Sequence, residues 1–298
     1  MSEKKPKRHV SGWIVLDKPL GLGSTQAVGK IRWLYGADKA GHAGTLDPLA
    51  TGLLPIALGE ATKTVPFVQA GAKRYRFALR WGAATSTDDA EGEIVARSDH
   101  RPSEAETRAM LDRFVGTIQQ RPPAFSAIKI AGERAYDLAR AGETVELAPR
   151  PVTIGELRLL SHGPDLSEFD LACEKGTYVR ALARDLAEAL GTRAHVVQLR
   201  RTAVGGFTEA DAVTLEAVET AADRDRLLRT PGAVLGHLPE LRLGPEDAAL
   251  LRHGAAVLLR GAGAPIELAE AWASCNGAAI AVGAVRAGHF HPARVLRA

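Results

Sequence analysis

Hydrophobic and polar positions recur along this chain with two periods, and together they predict most of its elements. In RYRFALRW (74–81), Tyr75, Phe77, Leu79 and Trp81 point one way, and Arg74, Arg76 and Arg80 point the other. That period of two predicts a strand with one apolar and one basic face. SGWIVLDKP (11–19) reads as a strand running into a Pro/Gly turn, and Phe169, Leu171 and Cys173 mark another alternating strand. Helical spacing appears at Val28, Ile31 and Leu34, with Ser24 or Thr25 placed to cap the first turn. Ser103 and Glu106 form a capping box ahead of Met110, Leu111 and Phe114, with Gly116 positioned to end that helix. YVRALARDLAEALG (178–191) reads as an amphipathic helix, with Val179, Leu182, Leu186 and Leu190 inward and Gly191 closing it.

Strands and helices are intermixed without regular βαβ alternation, which predicts an α+β fold built on a mixed sheet. Pro and Gly punctuate RTPGAVLGHLPELRLGP (229–245), after which GAAVLLRG and GAAIAVGAVRAG suggest short strands joined by glycine turns. The expected organisation is a basic flexible tail (1–9), a main domain (10–236) and a small β-rich module (237–298). At 298 residues and 46% hydrophobic, the chain can bury a substantial core. The two cysteines, Cys173 and Cys275, lie far apart and form no metal-ligand pattern. Neither a bilayer-spanning apolar run nor a signal-peptide core is present, so a reducing cytoplasm is the expected location.

Net charge is only +3, and the first ten residues (Lys4, Lys5, Lys7 and Arg8 against Glu3) account for all of it. Elsewhere the charges segregate. Lys63, Lys73, Arg74, Arg76 and Arg80 stand in an acid-free stretch, Arg193, Arg200 and Arg201 cluster later, and acids collect in TSTDDAEGE (85–93). Local basic patches on a near-neutral chain suit either a bound polyanion or a solvated charged face.

Several common motifs are absent. PLGLGSTQAVGK (19–30) lacks the third glycine of a dinucleotide loop and is one residue too long for a P-loop. GxSxG, HExxH and CxxC do not occur, and His289 with His291 reads as a surface pair, so neither metal nor cofactor is expected. One stretch does raise a chemical question. GHAGTLDPLATGLLP (41–55) carries a single acid, Asp47, among glycines and leucines. Asp before Pro is a common helix opening, so Asp47 has a structural reading as an N-cap. The alternative is a carboxylate on a loop where Gly41, Gly44 and Gly52 let another molecule approach the backbone closely, acting as a nucleophile beside a cation that keeps it ionised. Arg180 is a candidate for that cation: in a first helical turn, off the apolar stripe, it opposes the helix dipole and calls for a negative partner.

GHAGTLDPLATGLLPIALGEATK (41–63) resembles the signature of the TruB family of bacterial tRNA pseudouridine-55 synthases. LDKPLGLGS (16–24), KRYRFALRWG (73–82), PPAFSAIKIAGERAYDLAR (122–140), KGTYVRALARDL (175–186) and AHVVQLRRTAVGGF (194–207) resemble further family segments in the same order. The resemblance implies isomerisation of a T-loop uridine of tRNA on a flipped-out base, without metal or cofactor, with Asp47 as nucleophile. It also implies that Tyr75 stacks on the base, that Arg180 pairs with Asp47, and that Tyr178 and Leu199 line the uracil pocket. His42 corresponds to a residue that contacts the target nucleotide, and Lys18 and Lys129 to basic positions around the pocket. Phe125 stands where the family often has tyrosine. The C-terminal module resembles a PUA-like RNA-binding domain more loosely, its six arginines facing five acids over 237–298. A monomer is the default expectation. The readings that compete with the enzyme are a non-catalytic RNA-binding or tRNA-folding protein and a guide-RNA-dependent synthase subunit.

Overall fold

Strand Gly12–Lys18 is buried on both sides of its pleat, and this sets the layering of the molecule. The computed structural model describes residues 8–126, 128–130, 133–134 and 147–297, with Lys129, Ile130 and Arg134 described by backbone alone; residues 1–7 of the predicted tail lie outside them. Ile14 and Leu16 join one apolar cluster with Leu54, Ile56, Ile31, Leu34, Leu182 and Leu186. Trp13 and Val15, on the opposite face, join Leu53, Ala57, Val204 and Phe207 in a second cluster. A strand with both faces covered needs apolar residues at successive positions, as WIVL supplies.

The main sheet is mixed and ten-stranded. From one edge it runs Val213–Thr214, Gly12–Lys18, Ala50–Leu58, Ala194–Val204, Lys73–Trp81, Leu166–Cys173, Arg150–His162 and Gly116–Gln120, with Ala40–His42 and Phe207–Thr208 paired alongside. Most neighbours are antiparallel, but Ala194–Val204 runs parallel to Ala50–Leu58. In strand Lys73–Trp81 the alternation holds, with Tyr75, Phe77, Leu79 and Trp81 buried and Arg76 and Arg80 exposed. Helices Ser24–Tyr35 and Val179–Ala189 cover one face through Ile31, Leu34, Leu182 and Leu186.

Three local expectations are corrected. The N-cap of the first helix is Gly23, whose N–H donates to Gln26 Oε1 at 3.1 Å, while Ser24 is already helical and its hydroxyl is used elsewhere. The helix capped by Ser103 ends at Leu111 and passes through a 3-10 turn, so Gly116, at φ +93°, opens a strand instead of closing the helix. Gly52 was expected to admit a foreign molecule. At φ +93°, a Cβ there would lie 2.2 Å from the carbonyl oxygen of Arg201, so the close approach is made by the neighbouring strand.

The C-terminal residues form a second sheet of five strands, ordered Glu240–Arg242, Leu268–Cys275, Ala278–Arg286, His289–Val295 and Val257–Leu258. It has its own core around Leu251, Val285 and Phe290. It is also joined to the main sheet, because Trp272 and Val282 share the cluster of Trp13 and Val15. The Pro/Gly-rich stretch before it is packed as well: Val234 and Leu235 enter that cluster, and Arg229 pairs its backbone with Trp13.

The two glycine environments make opposite predictions. Gly52→Ala should destabilise the fold by more than about 2 kcal/mol, since positive φ and backbone collision both oppose it. Gly29→Ala, exposed in the first helix with open space around its Cβ, should stabilise by about 0.5–1 kcal/mol. Denaturant midpoints of the two variants check this.

Candidate active site

No helix follows Asp47. Ala50 N–H donates to the Asp47 carbonyl at 3.0 Å, Pro48 and Leu49 form a turn, and a strand begins at Ala50. The capping role is thereby removed, and the carboxylate is left without a local use. The loop around it is pinned from both sides. Ser24 Oγ donates to Leu46 O at 2.7 Å and accepts from Leu46 N at 2.8 Å. Gly21 N–H donates to Pro48 O at 2.9 Å, and Arg201 Nη2 donates to Gly44 O at 3.0 Å. A side chain on a loop held this way has little freedom to drift.

Arg180 is the partner. Its Nη2 lies 2.9 Å from Asp47 Oδ2, and its Nε lies 3.5 Å from Asp89 Oδ2. Nη1 donates to Thr87 O and Nη2 to Phe125 O, each at 2.9 Å. The Arg180 side chain is 7% exposed, against 37% for Asp47, so the cation is sealed while its anion faces outward. Arg180, off the apolar stripe on the helical wheel, has the negative partner it called for and is buried with it, because two carboxylates and two carbonyls replace its water. Its helix has no acid in its own first turn, and the compensating charges come from two other segments. One of them is the acidic stretch 85–93, which builds the wall of the site and is not a solvated face. Asp88 from that stretch also holds Arg184 at 3.1 Å.

Asp47 and Arg180 open onto a cleft of about 240 Å³ that Tyr75, Tyr178, Leu199, Lys73 and Arg201 also line. Five predicted residues therefore meet in one cavity: Asp47, Tyr75, Tyr178, Arg180 and Leu199. Burial pushes the Tyr75 phenol above its ordinary pKa, with Arg201 opposing, so it is neutral at physiological pH. Tyr178 is fixed at both backbone ends by Gln120, whose Oε1 accepts from Tyr178 N at 2.8 Å and whose Nε2 donates to Tyr178 O at 3.2 Å. The Arg150 guanidinium stands 5.3 Å from the centre of its ring.

The remaining predicted residues sit elsewhere. Lys18 lies fully buried beneath the loop, where Nζ donates to Pro19 O at 2.9 Å and Leu22 O at 2.6 Å; burial lowers its pKa to about 8 although Asp47 pulls the other way. His42, half-buried, is not in the lining. Its Nδ1 accepts from Gly44 N at 3.2 Å, and burial together with Arg201 lowers its pKa, so it is a neutral imidazole that shapes the turn. Lys129 opens the short strand Lys129–Ile130, and its side chain lies outside the described residues. Among the described residues no cluster of three or more His, Cys, Asp or Glu could hold a metal ion, and no helix is long and apolar enough to cross a membrane.

Arg201 was missed as a site residue. The sequence groups it with a basic patch, yet it is 1% exposed and donates to Leu53 O at 2.7 Å as well as to Gly44 O. The signal was available: Leu199 and Arg201 stand two apart on one strand and so share a face. Other members of the presumed patches are also engaged internally. Arg200 pairs with Asp17 and Glu209, Arg74 with Asp170 and Glu156, and Lys63 with Glu60.

The profile of the TruB family pseudouridylate synthase N-terminal domain matches residues 32–179, and that of the tRNA pseudouridylate synthase B C-terminal domain matches residues 180–231. This chain belongs to the TruB family of pseudouridine synthases. The tRNA pseudouridine synthase B of Chelativorans sp. (strain BNC1) is 55% identical to it over 304 residues, 98% of this chain and 97% of that protein. Its counterpart in Mesorhizobium japonicum is 51% identical over 317 residues, 98% of each chain. Among solved structures, a chain of a Cbf5–Nop10–Gar1 complex aligns with a TM-score of 0.72 at 25% identity, covering 96% of this chain and 84% of that one. A chain of an H/ACA RNP bound to a substrate RNA containing 2′-deoxyuridine shares the fold with a TM-score of 0.75 at 23% identity, over 96% of this chain and 85% of that one.

For a TruB-family enzyme, the four-way engagement of Arg180 has a direct consequence. Arg180→Lys keeps the charge, but one ammonium cannot reach Asp47, Asp89 and two carbonyls from a single point. Pseudouridine formation should fall at least about a hundredfold, comparable to other losses of electrostatic positioning, while the fold persists. Single-turnover assays beside circular dichroism check both halves.

Proposed function

We propose that this chain isomerises uridine-55 in the T-loop of tRNA to pseudouridine, with Asp47 as the nucleophile on a flipped-out base. The observation that carries the reading is the Asp47 carboxylate, 37% exposed and 2.9 Å from a buried guanidinium, at a cleft walled by two tyrosines and a leucine. The position in tRNA and the loop come from the resemblance of 41–63 and its companion segments to the family signature. The names of the relatives at 51–55% identity support tRNA as the substrate.

Base eversion from a folded loop costs a few kcal/mol. Stacking on Tyr75 returns about 1–3 kcal/mol, and splayed loop bases are the form in which RNA offers single nucleotides to a pocket. Asp47 then acts on the nucleotide as an anion. The C1′–N1 bond breaks, the uracil turns within the cleft, C5 bonds to C1′, and the proton on C5 is lost while N1 gains one. Atoms and electrons balance without an oxidant, reductant or metal, so the reaction asks for no cofactor. Leu199 and Tyr178 bound the space in which the base turns. Lys18 supports the loop from below, and the roles of His42 and Lys129 toward the RNA rest on the resemblance to the family.

In this reading residues 10–236 form the catalytic domain and 237–298 a PUA-like module, of near-neutral charge, in a cytoplasmic monomer. Cys173 and Cys275, both free and buried, suit a reducing compartment. A subunit working inside a guide ribonucleoprotein draws only on a likeness of fold at 23–25% identity, and full-length relatives at twice that identity favour an enzyme acting directly on tRNA.

Asp47→Asn tests the reading. The amide keeps the shape but cannot serve as an anionic nucleophile, so tritium release from C5-labelled uridine in a T-arm transcript should drop by about 10³-fold or more. Folding and tRNA binding should stay near wild type. Retained turnover would reduce Asp47 to a structural residue, and a wild-type chain that binds tRNA but releases no tritium would make it a binding protein.

A further inference from the structure

Ser126 is 5% exposed, and its hydroxyl has no hydrogen-bond partner among the described residues. Buried hydroxyls are ordinarily paired, because the water they give up must be replaced. Ser126 is one of the residues that line the same cleft as Asp47, Tyr75, Tyr178 and Arg180. Its place there is set by the site itself: Arg180 Nη2 donates to the neighbouring Phe125 carbonyl at 2.9 Å, and Ser126 N–H donates to Ala124 O at 3.0 Å. The guanidinium that faces the carboxylate thus also anchors the segment that carries the serine.

Three other polar side chains of the wall are committed to protein partners. Arg201 gives its donors to the carbonyls of Leu53, Gly44 and Thr45. Lys73 Nζ donates to Gln69 O at 2.9 Å and Gly71 O at 3.0 Å, and Thr177 Oγ1 donates to Glu174 O at 3.2 Å. Leu46, Val179 and Leu199 offer no polar atom. An uncommitted hydroxyl in such a wall is a group kept for a ligand.

We propose that Ser126 is a substrate-contacting residue whose hydroxyl donates a hydrogen bond to a carbonyl oxygen of the everted uracil. The base is favoured over the sugar by depth. The ribose stays tied to the RNA backbone and so stays near the mouth, where Asp47 is more than a third exposed, whereas Ser126 is sealed. Two of the three polar atoms on the uracil edge are carbonyl oxygens, and a hydroxyl supplies the donor they need. The contact forms on binding, and the half-turn that brings C5 to C1′ exchanges the two carbonyl positions, so an acceptor faces the hydroxyl before and after it and the effect falls on affinity more than on turnover. This inference rests on the reading of the cleft as the uridine pocket.

The test combines Ser126→Ala with single-atom changes in a T-arm transcript carrying 2-thiouridine, 4-thiouridine or 2′-deoxyuridine at the target position. Ser126→Ala should raise KM on the unmodified transcript roughly tenfold with kcat within about threefold, as expected for uniform binding. One of the two thio substitutions should weaken the wild-type enzyme and leave Ser126→Ala unaffected, because sulfur is the poorer acceptor and the alanine has nothing to donate. That loss of additivity is the signature of direct contact, which a serine serving only to pack would not produce. Full additivity with both thio substrates, or coupling to the 2′-deoxy change alone, overturns the proposal. Wild-type turnover on the unmodified transcript, and its loss in Asp47→Asn, report separately on the function proposed for the cleft.

Discussion

The site depends on one buried guanidinium that must be neutralised where water cannot reach it. Arg180 enters from the first turn of a helix, where the dipole already disfavours a cation. Its partners lie on three separate segments: Asp47 on the loop before strand Ala50–Leu58, Thr87 and Asp89 on the acidic stretch, and Phe125 beyond the edge strand Gly116–Gln120. None of these segments is joined to another by a regular sheet contact at the point where they meet. The arginine is therefore what makes them one wall, and removing it would leave two carboxylates and two carbonyls facing each other uncompensated.

Behind this wall stands a row of backbone pairs that fixes the level of the site. Gly52 pairs with Arg201, and Arg201 with Tyr75. Past Arg201 the strand slips by one residue, pairing Ala203 with Arg74, a bulge that redirects the chain beside the cleft. Since Leu199 stands two residues before Arg201, the same register sets it opposite Phe77 and on the face that Tyr75 and Arg201 share, which is the cleft face. Gly52 supplies the room for the Arg201 backbone, and the Arg201 side chain returns to hold Gly44 and Thr45. Positive φ at one glycine thus reaches the loop that carries Asp47 through a single neighbour.

Much of this was legible. Period-two alternation disclosed strand Lys73–Trp81 with Tyr75 on its buried face, and helical spacing disclosed the helix that carries Arg180. The motif resemblance named five residues that now line one cleft. What stayed hidden was the fate of charge. Arg74, Arg200 and Arg201 stand in basic runs that suit a polyanion or a solvated face, because nothing local reveals that Asp170, Asp17 and a row of carbonyls wait across the sheet. The acidic stretch 85–93 was opaque for the same reason. Its partner, Arg180, lies about ninety residues away in sequence. Caps were misjudged where a hydroxyl had a stronger tertiary use: Ser24 leaves the cap to Gly23 because it satisfies both backbone groups of Leu46. Asp47 before Pro48 looked like a helix opening, but the chain returns at once to the sheet, where Ala50 is fully buried between neighbouring strands.

The asymmetry between the two anions of Arg180 gives the arrangement its logic. Asp89, 3% exposed, is locked in protein, while Asp47 reaches solvent and can reach a nucleotide. On the proposed route Asp47 spends its charge when it bonds to the substrate, and a cation paired with that carboxylate alone would then be left bare in a dry pocket. Asp89 keeps the guanidinium compensated through that step, so Arg180 need not move or take up water. A second carboxylate that touches no substrate therefore lets the first become neutral and charged again without disturbing the wall that positions it.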